Sequence, residues 1–323
     1  MKARFRVVLF AAGVALTVSG CSGSSTTLSP QPQPRPQGWR VQTGGSSSAE
    51  ALQGLNFYPS SVLTIDAGDT VTWSFPSGEA HTVTLLAAGQ ATPPPASDPN
   101  VAKPAGGNTY DGNTYTSSGF KLLGANYSLQ FTKAGTYKVY CLIHQPEMEM
   151  TIVVQAAGAS YPHPQSFYDA AATTALGSDL AAAAASVTSF PYAPGGLHLA
   201  AGIAPGPVTG ASTTGTVLRF LSTGDVTNQT TTVPVGSTVT WTNLANNEPH
   251  TVTFAPVGQP FPKLDPFSPP TGGNTYDGTT LVNSGLLLPG QSFSATFPKA
   301  GTYTYHCLLH DDTGGMISTL VVQ

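Results

Sequence analysis

Between Val62 and Val154 the apolar residues fall into short runs that alternate with polar ones. Val62-Leu63-Thr64-Ile65 and Thr70-Val71-Thr72-Trp73 are β-prone and flank a Gly-Asp turn. His81 to Leu85 and Tyr127 to Phe131 alternate, and Thr136 to Tyr140 and Thr151 to Val154 close the series. The Pro-rich stretches 91–105 and 256–273 predict loops. The pattern then occurs a second time. GGNTYDG stands at 106–112 and again at 272–278, an offset of 166 that also carries Cys141 to Cys307 and His144 to His310. Upstream, Gly68 to Trp73 matches Gly236 to Trp241 at offset 168, and His81 to Thr84 matches His250 to Thr253 at offset 169. The drift reads as short loop insertions. Two homologous units follow, 49–155 and 207–323, each of ordinary domain size. Several short strands with turn signals predict an all-β chain of two antiparallel sandwiches with Greek-key connections.

Residues 156–206 join the units. Within them Ser166 to Ser189 is Ala-rich and free of Pro, which predicts one helix with Ser166 as its cap. It reads as a spacer packing against one sandwich. GGNTYDG, rich in turn-forming residues, reads as a structural loop. At the other end, 1–21 has the layout of a signal peptide: Lys2, Arg4 and Arg6, then an apolar run from Val7 to Val18. The run ends in Val18-Ser19-Gly20-Cys21, which resembles a bacterial lipobox with Cys21 as the lipidated residue. Residues 22–48 are rich in Ser, Pro, Gln and Gly and read as a flexible tether from a membrane.

Charge narrows the function. Only 9% of the 323 residues are charged and the net charge is −4, with three of the twelve basic residues in the leader. A phosphate-binding surface for nucleic acid is therefore not expected. Three cysteines cannot build a disulfide framework.

The chemistry-bearing residues are concentrated. Unit one contains Cys141-Leu-Ile-His144 with Met148, and unit two contains Cys307-Leu-Leu-His310 with Met316. Each unit has one upstream histidine, His81 or His250, at the head of an alternating run. After Cys21 these are the only cysteines, and after Met1 the only methionines are Met148, Met150 and Met316. A thiolate, two imidazoles and a weak thioether suit copper that cycles between Cu(II) and Cu(I). The alternative for the cysteines is a Cys141–Cys307 disulfide, which needs a Cα separation of about 6 Å. Register from the last strand favours Met148 over Met150 as the axial group, with Met150 left open.

These motifs, together with Phe57-Tyr58-Pro59, the Gly68 and Gly236 segments and Gly-Thr-Tyr at 135–137 and 301–303, resemble plastocyanin-type cupredoxins over nearly all of 50–155 and 212–323. The resemblance implies Greek-key sandwiches and one mononuclear type 1 (blue) copper per domain. It implies His81, Cys141, His144 and Met148 as ligands of one copper, and His250, Cys307, His310 and Met316 of the other. It implies one-electron transfer rather than catalysis, with His144 or His310 near the surface as the point where electrons enter. Redox proteins such as a cytochrome, oxidase or reductase are the implied partners, outside the cytoplasm, with the lipid holding the chain to a membrane. Three residues separate His144 from Met148 and five separate His310 from Met316. Both differ from the four of a typical plastocyanin, so unequal potentials are expected. His306, beside Cys307, raises the alternative of a two-domain copper oxidoreductase of the nitrite reductase or small oxidase kind. A copper-storage protein without a redox partner is the other alternative.

Overall fold

The computed structural model describes residues 36–47, 51–60, 62–189, 198–203, 215–222, 229–245 and 248–323. The leader, Cys21 and the first part of the expected tether lie outside the described residues. The first unit contains β1 (Gly38–Ser46), β2 (Leu52–Tyr58), β3 (Leu63–Asp66), β4 (Thr70–Ser74), β5 (Thr84–Leu85), β6 (Thr109–Tyr110), β7 (Thr116–Ser117), β8 (Asn126–Phe131), β9 (Gly135–Tyr140) and β10 (Glu149–Gln155). Helix α1 (Gln165–Ser189) follows. The second contains β11 (His198–Ile203), β12 (Gly215–Leu221), β13 (Thr230–Val233), β14 (Thr238–Leu244), β15 (Thr253–Phe254), β16 (Val282–Asn283), β17 (Ser292–Thr296), β18 (Gly301–His306), the single turn α2 (Asp311–Gly314) and β19 (Ile317–Val322).

Each unit packs a five-stranded sheet, β3-β10-β9-β5-β7 or β13-β19-β18-β15-β16, over its share of one large sheet. That sheet has nine strands in the order β17-β14-β11-β12-β2-β1-β4-β8-β6. Its centre is the junction of the two units, where β12 and β2 pair antiparallel with Gly215 opposite Gly54 and Val217 opposite Leu52. The order reads the same outward from that junction, with β11 answering β1, β14 answering β4 and β17 answering β8. Alternation fills the interiors: Val71 and Trp73 in one unit, Val239 and Trp241 in the other, are fully buried.

Four expectations need correction. Gly38–Ser46, expected inside the tether, is strand β1. Its Trp39, Val41 and Thr43 face inward while Arg40 and Gln42 lie between them, a period-two pattern embedded in a stretch of loop-like composition. His198–Ile203, expected in the linker, is the matching strand β11. The sheets are also mixed rather than antiparallel, since β1 runs parallel to β4 and β3 parallel to β10. Finally, α1 does not pack on one sandwich. It lies across the junction, where a β-carbon on Gly54 would meet Tyr58 and Leu176, and one on Gly215 would collide with the Asp179 carbonyl oxygen. Tyr58 of β2 donates its hydroxyl to Asp179 of α1. Burial and that carboxylate push the Tyr58 hydroxyl far above its ordinary range.

The GGNTYDG segments are structural in both units. Tyr110 donates to the Leu86 carbonyl and Tyr276 to that of Ala255. A β-carbon on Gly106 or Gly272 would strike the neighbouring strand segment, and both glycines have positive φ.

Candidate metal centres

In each unit one strand end, one isolated β-bridge and one turn bring three donors together. Cys141 follows the last residue of β9 and Cys307 the last of β18. His144 and His310 lie three residues on, in the turn that leads to the final strand. His81 is pinned by a two-bond backbone bridge to Lys121, and His250 by the same bridge to Leu287. The Nδ1 atoms of His81 and His144 are 3.1 Å apart, and Cys141 Sγ lies 3.3 Å from His144 Nδ1 and 3.9 Å from His81 Nδ1. In the second unit the corresponding separations are 3.2, 3.2 and 3.7 Å. All six residues are completely buried. Both cysteines are free thiols, so the disulfide alternative does not hold.

Two of the methionines have matching backbone positions. Met148 accepts from the Cys141 N–H and donates to the His144 carbonyl; Met316 makes the same two bonds to Cys307 and His310. Met148 and Met316 thus occupy equivalent positions despite loops of different length, and both are buried in the core with their cysteines. Met150 sits within β10 opposite Val139. Each sulfur also receives a backbone amide, from Thr82 at 3.4 Å and Thr251 at 3.3 Å. The hydroxyls of Thr82 and Thr251 accept from Leu142 and Leu308, tying the histidine segment to the cysteine segment.

Burial would raise the Cys141 thiol, but the positive charge of His144 and hydrogen bonds from His144 and His81 outweigh it and hold the thiol well below its usual value. The same balance, with His310 as the leading attraction, brings Cys307 down to about 5. Each cluster is therefore set to present a thiolate. One soft sulfur and two imidazole nitrogens converging in a dry site fit copper in the type 1 manner, and each unit has one such copper-binding set.

A feature the sequence reading missed lies between the units. His144 Nε2 is 2.9 Å from Glu248 Oε2 and 3.6 Å from Glu79 Oε1. His310 Nε2 is 2.8 Å from Glu79 Oε2 and 3.1 Å from Glu248 Oε1. Glu79 and Glu248 are as deeply buried as the histidines. Burial would raise both carboxyls; the attraction of His310 on Glu79, and of His144 on Glu248 against repulsion from Glu79, brings both below the usual carboxylate range. Burial would lower both histidines, but attraction from Glu248 and Cys141 raises His144, and attraction from Glu79 and Cys307 raises His310. The sequence did carry a signal. Glu79-Ala-His81 and Glu248-Pro-His250 are the same Glu-x-His pattern at the same offset as the histidines themselves.

This corrects the expectation that His144 or His310 reaches the surface. Each is 0% exposed, because each unit covers the other's histidine edge. His306 is only partly exposed; it stacks on Phe261 with ring centroids 3.6 Å apart, and its Nδ1 lies 3.1 Å from Asp311 Oδ2. His163 stacks on Phe167 at 3.7 Å, next to α1.

A family model of copper-binding proteins, the plastocyanin/azurin family, matches residues 45–155 and 225–323. The plastocyanin of Scenedesmus fuscus is 38% identical over 93 residues, 28% of this chain and 80% of that protein. The chloroplastic plastocyanin of Tetradesmus obliquus is 35% identical over 95 residues, 29% of this chain and 55% of that protein. Among solved structures, an oxidised mutant of amicyanin aligns at 22% identity with a TM-score of 0.25, over 43% of this chain and 90% of that one. A purple cupredoxin from Nitrosopumilus maritimus aligns at 21% identity with a TM-score of 0.23, over 39% and 98%.

Proposed function

The chain belongs to the plastocyanin/azurin family of copper-binding proteins, and on that premise we propose that it is a two-centre electron carrier working outside the cytoplasm rather than an enzyme. The observation that carries the reading is the pair of completely buried His-Cys-His sets, His81, Cys141, His144 and His250, Cys307, His310. Met148 and Met316 are assigned as the axial groups from their matching backbone bonds. Copper bound there supplies a one-electron Cu(II)/Cu(I) couple. The protein's part is to keep the donors where they are in both oxidation states. The Thr82 and Thr251 amides hold the thiolates, and the Lys121 and Leu287 bridges hold the upstream histidines. The buried surroundings exclude water and exogenous ligands, which favours electron passage over substrate turnover.

With the histidine edges covered, the residues preceding the two cysteines become the ligand-adjacent groups open to partners. Tyr140 and His306 are both partly exposed, at the ends of β9 and β18. A redox protein docking there exchanges electrons along the short through-bond path from the neighbouring residue to the thiolate. The lipobox-like Val18 to Cys21 segment supports attachment to a membrane through a lipid on Cys21. Mixing the oxidised, copper-loaded chain with a reduced c-type cytochrome in a stopped-flow instrument tests the reading. Rapid bleaching of the blue band with uptake of two electrons per chain is expected. Copper retained without exchange would instead make the protein a store.

A further inference from the structure

Four buried groups meet where the two units face each other, and they are not explained by holding copper within either unit alone. Glu79 belongs to the first unit, yet its closer histidine is His310 of the second, at 2.8 Å against 3.6 Å for His144. Glu248 belongs to the second unit, and its closer histidine is His144 of the first, at 2.9 Å against 3.1 Å for His310. Each carboxylate therefore spans both histidines, one oxygen to each. Among the described residues, Glu79 Oε2, both Glu248 carboxylate oxygens and the two histidine Nε2 atoms make no hydrogen bond of good geometry, and they meet one another as close ion pairs. The Nδ1 atoms of the same two histidines point the other way, into their own Cys-His clusters.

A metal-bound imidazole is oriented, and made a better donor, by a carboxylate on its far nitrogen. We propose that Glu79 and Glu248 are reciprocal positioning residues, each fixing the copper-ligating histidine of the opposite unit, so that the two copper centres form a single coupled device. The proposal rests on copper occupying the two Cys-His clusters. Charge supports it. A Cu(II) centre with one thiolate carries one net positive charge, and the two buried carboxylates balance two such centres across the junction, where an unpaired buried carboxylate would be costly. The second clause of the proposal follows from the bridging: a histidine that shifts at one centre moves the carboxylates that hold the other.

The test uses the full chain with one centre silenced. In Cys141→Ser the blue band and its paramagnetic copper signal come from the second centre only, and in Cys307→Ser from the first only. The band of each parent variant reports on the copper reading independently. Glu79→Gln is then added to each. On the Cys141→Ser background, copper affinity at the second centre falls about 10- to 100-fold, with altered copper hyperfine splitting and a shifted potential. On the Cys307→Ser background the first centre changes less, since its Nε2 is the more distant from Glu79. Retention of the first-centre band there also shows that the substituted unit is folded. An unchanged second centre, or a disturbance confined to the first, overturns the proposal. So does a third divalent ion per wild-type chain that Glu79→Gln releases, which would make the four groups a metal site of their own.

Discussion

Gly44 stands directly behind His81: a β-carbon on Gly44 would collide with His81 Nε2 and fall 2.9 Å from Ser77 Oγ. Gly44 also has a φ of 67°, in the left-handed region. Its strand, β1, therefore closes the first centre from behind. His81 has no room for a small adjustment, since its backbone is bridged to Lys121 and its ring is completely buried. Gly44→Ala is expected to cost about 1–3 kcal/mol and to expel His81 from its place. Visible spectra of the copper-loaded variant will then show the first centre's thiolate band lost and the second's retained. Two intact bands would contradict this.

The junction of the units predicts a second glycine effect. On Gly215 a β-carbon would meet a backbone atom of α1, the Asp179 carbonyl oxygen, so no rotamer change relieves it. Gly215→Ala is expected to lower stability by about 1–3 kcal/mol as α1 is pushed off the β2–β12 ladder. Denaturant unfolding of wild type and variant measures the difference.

The assignment of the axial group separates two neighbouring methionines. Met148→Leu replaces a donor by an apolar group, which disfavours the more highly charged Cu(II). The first centre's potential is expected to rise and its hyperfine splitting to change. Met150→Leu changes only packing in β10, at less than about 1.5 kcal/mol, with the spectrum unaltered. Equal spectral effects of the two substitutions would show the assignment to be wrong.

Unequal loops predict unequal centres. His144 reaches Met148 through a short turn, whereas α2, with Asp311 and Asp312 in its first turn, lies between His310 and Met316. A redox titration followed at the blue band is expected to resolve two one-electron steps. A single shared potential would count against a loop effect on the axial group.

The His-Cys-His groups were legible because the Cys-x-x-His and upstream His recur in register while cysteine is otherwise scarce. Strands β4, β8, β9 and β10 were legible through alternation. What escaped was whatever the units do jointly. Strand β1 was hidden because Trp39, Val41 and Thr43 alternate inside a segment whose Ser, Pro, Gln and Gly content suggests a tether. The pairing of β2 with β12 depends on two sheet edges meeting, which no local pattern specifies. The burial of His144 and His310 has the same origin, since each histidine edge is covered by the opposite unit's glutamate. Only the repeated Glu-x-His offered a trace of this in the sequence, and its meaning depends on knowing that the two copies face each other.

Copper content measured together with visible and EPR spectra on the chain lacking residues 1–21 tests the central claim most directly. Two coppers per chain, both with thiolate-to-copper charge transfer and narrow hyperfine splitting, are the predicted result. One copper per chain, or a second copper with wide splitting and no thiolate band, would contradict the account of two His-Cys-His centres.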